Sequence, residues 1–202
     1  LPLMLLNGAE GIGTGFSSVI PSFHHRDIIA SIKRYLDTGK PKKLKPWVAN
    51  YKGNVEVEKN GKVYFPMEIE QKSGKFFITE LPKGYDAVKV YKYLTKSIDA
   101  GFLKDFIDSS VNNEISIELI FKRGQEVNLE DVQRNIGATS SVSPNYTLIS
   151  ENGVKIFNRP EEIITIFAEK RREVVRRRYE LLSNEYEDRI LQNNEIIKFI
   201  KK

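Results

Sequence analysis

Hydrophobic positions change period several times along this chain, and each change marks an element. Residues 1–6 form a continuous apolar run that reads as a buried strand or the approach to one. Ile28, Ile29, Ile32 and Leu36 then recur at helical spacing behind Asp27, which predicts a helix with Asp27 as its N-cap. Thr38-Gly39-Lys40-Pro41 stops it. Over 54–80 the pattern predicts an antiparallel meander: Val55 and Val57, then Val63 and Phe65, then Phe76, Phe77 and Ile78. Its turns fall at Asn60-Gly61 and Ser73-Gly74, and Glu80-Leu81-Pro82 closes the third strand. Val88, Tyr91, Leu94 and Ile98 predict a second amphipathic helix ending near Gly101. Strands follow over 102–108 and 114–121, split by an Asn112-Asn113 turn, and then a short helix over 129–136. Residues 147–150 and 154–157 pair across Glu151-Asn152-Gly153.

The last segment has one period throughout. Asn158 with Glu161 matches a capping box, and Pro160 sits in the first turn. No Gly or Pro interrupts the chain from there to Lys202, so a continuous helix would run roughly 65 Å at 1.5 Å per residue. Phe167, Val174 and Leu181 repeat every seven residues, and Ile190, Ile197 and Ile200 continue an apolar stripe. The far half therefore needs a partner, and a coiled-coil neighbour is expected.

The stretch from Asn7 to Pro21 fits none of these periods. Gly8, Gly11, Gly13 and Gly15 crowd into it, and it ends on an Ile20-Pro21 step before a basic segment. A dinucleotide fingerprint needs Gly-x-Gly-x-x-Gly opening a helix; the spacing here is Gly11-x-Gly13-x-Gly15 and no helix follows directly. A nucleotide P-loop needs Gly-Lys-Ser/Thr, and no Lys is present. Two readings stay open: a tight loop with backbone at positive φ, or a backbone that approaches a polyanion through its N–H groups and the Ser17 and Ser18 hydroxyls. Ile20 is a core residue on its own evidence. Before a stiffening proline it could also be a wedge, since apolar side chains inserted between base steps kink DNA.

Composition narrows the classes. The chain has 202 residues, 40% hydrophobic, enough for a medium domain or a small one with an extension. It lacks cysteine, which removes disulfides, thiol catalysis and thiolate metal sites. Its two histidines, His24 and His25, are adjacent; they either contact phosphate or simply sit on the loop. Carboxylate pairs such as Glu161/Glu162 and Glu187/Asp188 read as helix surface, and no nucleophile constellation or metal site stands out. No apolar run reaches the length of about 20 residues a membrane helix needs. The net charge of +5 is unevenly placed. From His24 to Lys52 eight Lys or Arg stand against Asp27 and Asp37, and a second cluster comprises Lys170, Arg171, Arg172, Arg176, Arg177 and Arg178. Such clusters suit an anionic polymer or are solvated faces. The chain opens without Met and ends within a helical pattern, so an internal piece of a longer protein is expected.

The segment from Leu3 through Asn7-Gly8-Ala9-Glu10-Gly11-Ile12-Gly13-Thr14-Gly15-Phe16-Ser17-Ser18-Val19-Ile20-Pro21 closely resembles the breakage-reunion region of type IIA DNA topoisomerases. Later features follow in the same order: Pro46-Trp47 with Gly53, then Phe77-Ile78-Thr79-Glu80-Leu81-Pro82, then residues 146–157 and the Asn158-Arg159-Pro160-Glu161-Glu162-Ile163-Ile164 helix start. The resemblance covers essentially the whole chain. It is greatest, within that family, to a T-even-type bacteriophage medium subunit. It implies an α+β fold: a tower domain with an antiparallel or mixed sheet and flanking helices, then a long helix that begins a coiled coil. The implied division is 1–25 as a DNA-gate loop, 26–158 as the tower and 159–202 as the coiled-coil arm. The implied function is binding and bending the gate DNA during ATP-dependent double-strand passage, with a non-enzymatic architectural DNA-binding or coiled-coil scaffold module as the alternative. By match, Ile20 is the intercalating wedge. The resemblance further implies that Asn7, Gly13, Thr14, Ser17, Ser18, Pro21, His24, Lys42, Lys43 and Lys45 contact the duplex. Ala49 and Asn50 stand where relatives often carry a basic residue and glycine, which puts a phosphate contact there in doubt. The active-site tyrosine and the acidic metal-binding domain belong to other segments, so the isolated chain is expected to be an inactive monomer binding no cofactor. Mg2+ and ATP are expected on other domains or subunits of a holoenzyme containing a dimer of this subunit and residing in cytoplasm, with the nucleoid.

Overall fold

Met67 splits the expected meander between two sheets. Its side chain is buried, and its N–H donates to the Ala138 carbonyl at 2.7 Å. In the computed structural model, which describes every residue except Asn113, Glu151, Asn152 and Lys202, the strands on either side of this point go separate ways. The helix Leu3–Asn7 (α1) and the hairpin strands Ala9–Gly13 (β1) and Phe16–Ile20 (β2) come first, followed by helix His25–Thr38 (α2). Strands Glu56–Val57 (β3) and Val63–Pro66 (β4) precede Met67, and Glu68–Lys72 (β5) and Lys75–Glu80 (β6) follow it. Then come helix Ala87–Asp99 (α3), strands Asp105–Asp108 (β7) and Ile117–Ile120 (β8), helix Leu129–Ile136 (α4) and strand Thr139–Val142 (β9). Strands Tyr146–Ser150 (β10) and Gly153–Phe157 (β11) lead into helix Pro160–Ile200 (α5).

One compact unit comprises Leu3–His24 and Lys45–Ile156. It holds a three-stranded sheet in the order β3-β4-β9 and a four-stranded sheet in the order β5-β6-β8-β7, with all adjacent pairs antiparallel. Alternation along β4, β6 and β8 sends Val63 and Phe65, Phe76 and Ile78, and Ile117 and Leu119 inward. On the larger sheet, these side chains join Val90, Leu94, Leu103, Val132 and Ile136 in one core, so α3 and α4 supply its other half. Both helices have side-chain caps: the Lys89 N–H donates to Asp86 at 2.7 Å, and the Asp131 N–H donates to Asn128 at 2.8 Å. The smaller sheet is closed by Tyr51, whose ring meets Phe65 edge-on at 5.5 Å and whose hydroxyl donates to the Pro66 carbonyl at 2.7 Å.

Tyr51 yields a prediction. Burial, followed by the nearby Glu68 and Glu80 carboxylates, pushes its phenol well above the usual tyrosine range. A phenol whose folded pKa is raised contributes stability that is complete below its unfolded pKa, about 10, and is lost as pH rises toward the folded value. Tyr51→Phe should cost about 0.5–1.5 kcal/mol at neutral pH through the missing hydrogen bond. It should also remove part of the loss of stability above pH about 10. Urea unfolding of both proteins at pH 7 and 10.5 checks this, and an unchanged neutral stability would count against the Pro66 bond.

The other unit comprises Leu1–Pro2, His25–Leu44 and the chain from Phe157 onward. Ile28 and Ser31 on α2 and Ile163, Ile164 and Ala168 on α5 are buried, and the Tyr35 hydroxyl donates to Glu169 at 2.7 Å. Helix α2 thus groups with α5, whereas the sequence-based division set 26–158 apart from 159–202. At 1.5 Å per residue α5 is about 62 Å long. Beyond its first turns it exposes Val174, Leu181, Ile190 and Ile197, the positions of the expected stripe.

Several local expectations are corrected. Residues 3–7 are a short helix rather than a strand. Asp27 lies inside the first turn of α2, which begins at His25. The N-cap of α5 is Arg159, whose guanidinium has no acceptor to cap the helix, and the Glu161 carboxylate accepts the Leu44 N–H at 2.7 Å. Strands β5 and β9 were not expected from the pattern. The Asn113 part of one expected turn, the Glu151-Asn152 part of another and the Lys202 terminus lie outside the described residues.

Candidate nucleic-acid interface

The glycine-rich stretch is a β-hairpin rather than an open loop. Ala9 pairs with Ile20, Gly11 with Ser18, Ile12 with Ser17 and Gly13 with Phe16, leaving Thr14-Gly15 as a two-residue turn. Gly15, the second turn residue, adopts a φ of 81°, the position at which a type II turn needs positive φ. At the base, Gly8 has a φ of 73°, and a Cβ there would lie 2.9 Å from the Ile20 carbonyl oxygen. The glycines therefore supply turn geometry and close backbone approach, and they leave the hairpin thin.

Burial separates the two isoleucines. Ile20 is 4% exposed, and Pro21 is buried beside it; Leu5 and Phe23 are also fully buried, and the Phe23 N–H donates to the Leu5 carbonyl at 2.8 Å. Ile20 thus belongs to the core, and the wedge expected of it has no apolar surface to insert. Ile12 is 94% exposed, on the strand approaching the turn, and residues 9–17 are all exposed around it. The correction is physical. Ile20 sits where the chain leaves the hairpin for the core, whereas Ile12 sits near the far end.

The hairpin is anchored by residues absent from the sequence-based set. Asn145 exchanges backbone hydrogen bonds with Val19 at 2.9 and 2.8 Å, and its amide donates to the Ser17 carbonyl at 2.8 Å and to the Ser17 hydroxyl at 3.2 Å. The Thr147 hydroxyl donates to the Asn145 side-chain oxygen at 2.7 Å, fixing the amide's orientation. The Ser18 hydroxyl donates to the Thr147 carbonyl. Ser18 is therefore committed to holding the hairpin, while Ser17 is exposed next to its Asn145 contact. The one local signal was Ser143-Pro144-Asn145, a turn-rich entry to a strand, and nothing in it names Val19 as the partner.

A family model described as the A subunit of DNA gyrase/topoisomerase IV matches residues 1–202. The chain belongs to this family of type II DNA topoisomerases. The DNA topoisomerase 2 of Pisum sativum is 31% identical over an alignment of 179 positions that covers 83% of this chain and 12% of the relative. That of Meyerozyma guilliermondii is 28% identical over 207 residues, 100% of this chain and 15% of the relative. The chain thus spans well under a fifth of these relatives. Among solved structures, the Plasmodium falciparum topoisomerase II DNA-binding, cleavage and re-ligation domain superposes with a TM-score of 0.74 at 25% identity, covering 90% of this chain and 26% of that one. The antiparallel sheets and long terminal helix agree with the α+β architecture read from the sequence.

The remaining expected residues of this topoisomerase chain fall in both units. Asn7 and Thr14 are exposed, and Asn7 borders an open concavity of about 490 Å³ at the hairpin base, with Gly8, Glu10, Pro21, Lys83 and Ser141. Lys83, which sequence reasoning missed, lies 5.3 Å over the Phe65 ring. The His24 ring meets Trp47 edge-on at 4.9 Å, and Ser22 and Trp47 exchange hydrogen bonds at 2.8 and 2.6 Å. Lys45 is exposed in the same unit, whereas Lys42 and Lys43 are exposed in the helical one. There Lys42 faces Asp27 at 3.6 Å and its carbonyl accepts the Ser31 hydroxyl at 2.8 Å. The Arg-rich part of α5 is partly spent on ion pairs along the helix, Lys170 and Arg177 with Glu173 and Arg176 with Glu180, exposed contacts of little energetic weight. Among the described residues no group of three or more His, Cys, Asp or Glu could hold a metal ion.

Proposed function

We propose that this chain grips and bends the duplex that a type II topoisomerase opens, acting as the tower part while a second duplex is passed through. The observation that carries the reading is Ile12, 94% exposed near the end of a hairpin pinned by Asn145. A bare aliphatic side chain on a thin ribbon suits insertion between base pairs, which kinks DNA toward the major groove. Thr14 and Ser17 would contact the sugar-phosphate edges, with Asn7, His24 and Lys45 of the same unit completing the grip, and Lys42 and Lys43 would contact phosphate on their own from the helical unit. Bending costs on the order of 1–6 kcal/mol, which these contacts offset.

Strand cleavage would fall to other parts of the holoenzyme, which supply the nucleophilic tyrosine, an acidic metal-binding domain with Mg2+, and an ATPase. The isolated chain would bind DNA without cutting it. The exposed stripe on α5 supports a coiled-coil arm, and thereby a holoenzyme with two copies of this subunit. The compact span between hairpin and arm and the lysine-rich composition support a T-even-type bacteriophage subunit, working beside the nucleoid of the host cytoplasm.

Ile12→Ser in the full-length protein tests the reading. The bend measured by energy transfer between the ends of a 30-bp duplex should largely disappear, affinity should fall about tenfold, and the unfolding midpoint should stay put. A variant that bends DNA like the parent protein would sink the wedge assignment.

A further inference from the structure

Strand β2 has a second neighbour besides β1. Val19 pairs with Glu10 on one side and, through one isolated antiparallel bridge, with Asn145 on the other, so the separate β10–β11 hairpin lies edge to edge with the glycine-rich hairpin. Directly opposed residues point to the same face, and the face alternates along each strand. Ile12, two residues from Glu10, and Ile149, four from Asn145, therefore share the face of Val19. The Asn145 amide reaching Ser17, the partner of Ile12, agrees with this assignment. Ile149 is 88% exposed, and four residues at about 3.3 Å carry it about 13 Å from Asn145, level with the Thr14-Gly15 turn. Val154 and Ile156, two apart on one face of β11, are also exposed, Ile156 by 64%. The four strands contain only two charged residues, Glu10 and Lys155.

Two neighbouring hairpins thus raise bare aliphatic side chains, Ile12 and Ile149, toward the same end. Protein interfaces concentrate their energy in aromatic and arginine anchors, and these four strands place neither on the face in question. Minor-groove proteins instead use aliphatic wedges on β-ribbons, and strands can lie along that groove. We propose that β10–β11 is a second DNA-contacting ribbon: Ile149, followed by Ile156, lies in the minor groove that Ile12 enters and holds it open beside the kink. The inference rests on the DNA-bending reading above and extends it to a surface that reading does not use.

The test uses the full-length protein and a 30-bp duplex carrying end dyes for the bend and 2-aminopurine for unstacking. Threonine keeps the β-branch and strand propensity, so Ile149→Thr with Ile156→Thr should leave the fold intact. The expected result is binding weakened roughly threefold to tenfold with a smaller bend, and recovery in Ile149→Val. If binding and bend match the parent protein while Ile12→Ser loses both, β10–β11 is outside the interface and only this inference falls. If the double variant changes sedimentation of the DNA-free protein and not the bend, the face belongs to a protein partner, and the inference again falls. If the parent protein itself neither bends nor unstacks the duplex, the DNA-bending reading fails, and this one with it.

Discussion

Ile20→Ala should destabilise the strand unit by about 2–5 kcal/mol, the cost of truncating a buried aliphatic side chain and leaving a cavity. Ile12→Ala should change stability by no more than about 0.5 kcal/mol, since its side chain touches mainly water. Ile20 is 4% exposed where β2 leaves the hairpin, and Ile12 is 94% exposed near the turn. The contrast separates two isoleucines that a motif alone treats alike. Urea unfolding, followed by the fluorescence of the single tryptophan Trp47, measures both. DNA binding supplies the second axis. Any loss in Ile20→Ala should follow the unfolded fraction and recover under conditions that refold it, whereas the loss in Ile12→Ala should persist in fully folded protein. A stable Ile20→Ala protein that no longer bends DNA would restore Ile20 as the wedge and remove it from the core.

Elements whose own sequence dictates their geometry were legible in advance. Helix α3 follows from Tyr91, Leu94 and Ile98 at helical spacing, although Val88 of the same stripe is exposed and the capping Asp86 was not anticipated, and the β5–β6 turn follows from Ser73-Gly74, where both residues adopt positive φ. Pairing between distant segments was not legible. Strand β9 is Thr139-Ser140-Ser141-Val142, a polar stretch that becomes a strand because its backbone pairs with β4, a register set more than seventy residues away. Strand β5, Glu-Ile-Glu-Gln-Lys, was missed for a local reason: only one of its residues is buried, so no alternation marks it, although it pairs with β6 across the legible turn. Residues 3–7 misled for the opposite reason: an apolar run lacks period, and of its members only Leu5 is fully buried once the run is wound into a helical turn.

The site was legible in its chemistry and not in its geometry. Glycine spacing marked residues 8–15 as special, and the family resemblance attached DNA to them. Which isoleucine faces outward depends on strand pairing and on where the hairpin enters the core, and neither is written in the motif. Asn145 was invisible for the same reason as β9: its importance is the Val19 backbone and the Ser17 side chain, both contributed by another part of the chain.

Gly8→Ala should be the most damaging single-methyl change in the hairpin. Gly8 holds a φ of 73°, where an L-residue costs about 1–2 kcal/mol. A Cβ would also lie 2.9 Å from the Ile20 carbonyl oxygen and 3.2 Å from the Ser22 nitrogen, both backbone atoms that cannot swing aside. Such overpacking adds about 1–3 kcal/mol. Gly15→Ala is the internal control. It has a similar φ of 81° but nothing within 4 Å of the added methyl, so it should show only the conformational cost. Because Gly8 joins α1 to β1, the methyl should also shift the hairpin base against Ile20 and Ser22 and mis-aim Ile12. Gly8→Ala should therefore lower the unfolding midpoint more than Gly15→Ala and reduce the DNA bend even where the protein remains folded. Equal destabilisation by the two substitutions would show that backbone crowding at Gly8 relaxes freely. A normal bend in folded Gly8→Ala protein would show that the hairpin base does not set the direction of Ile12.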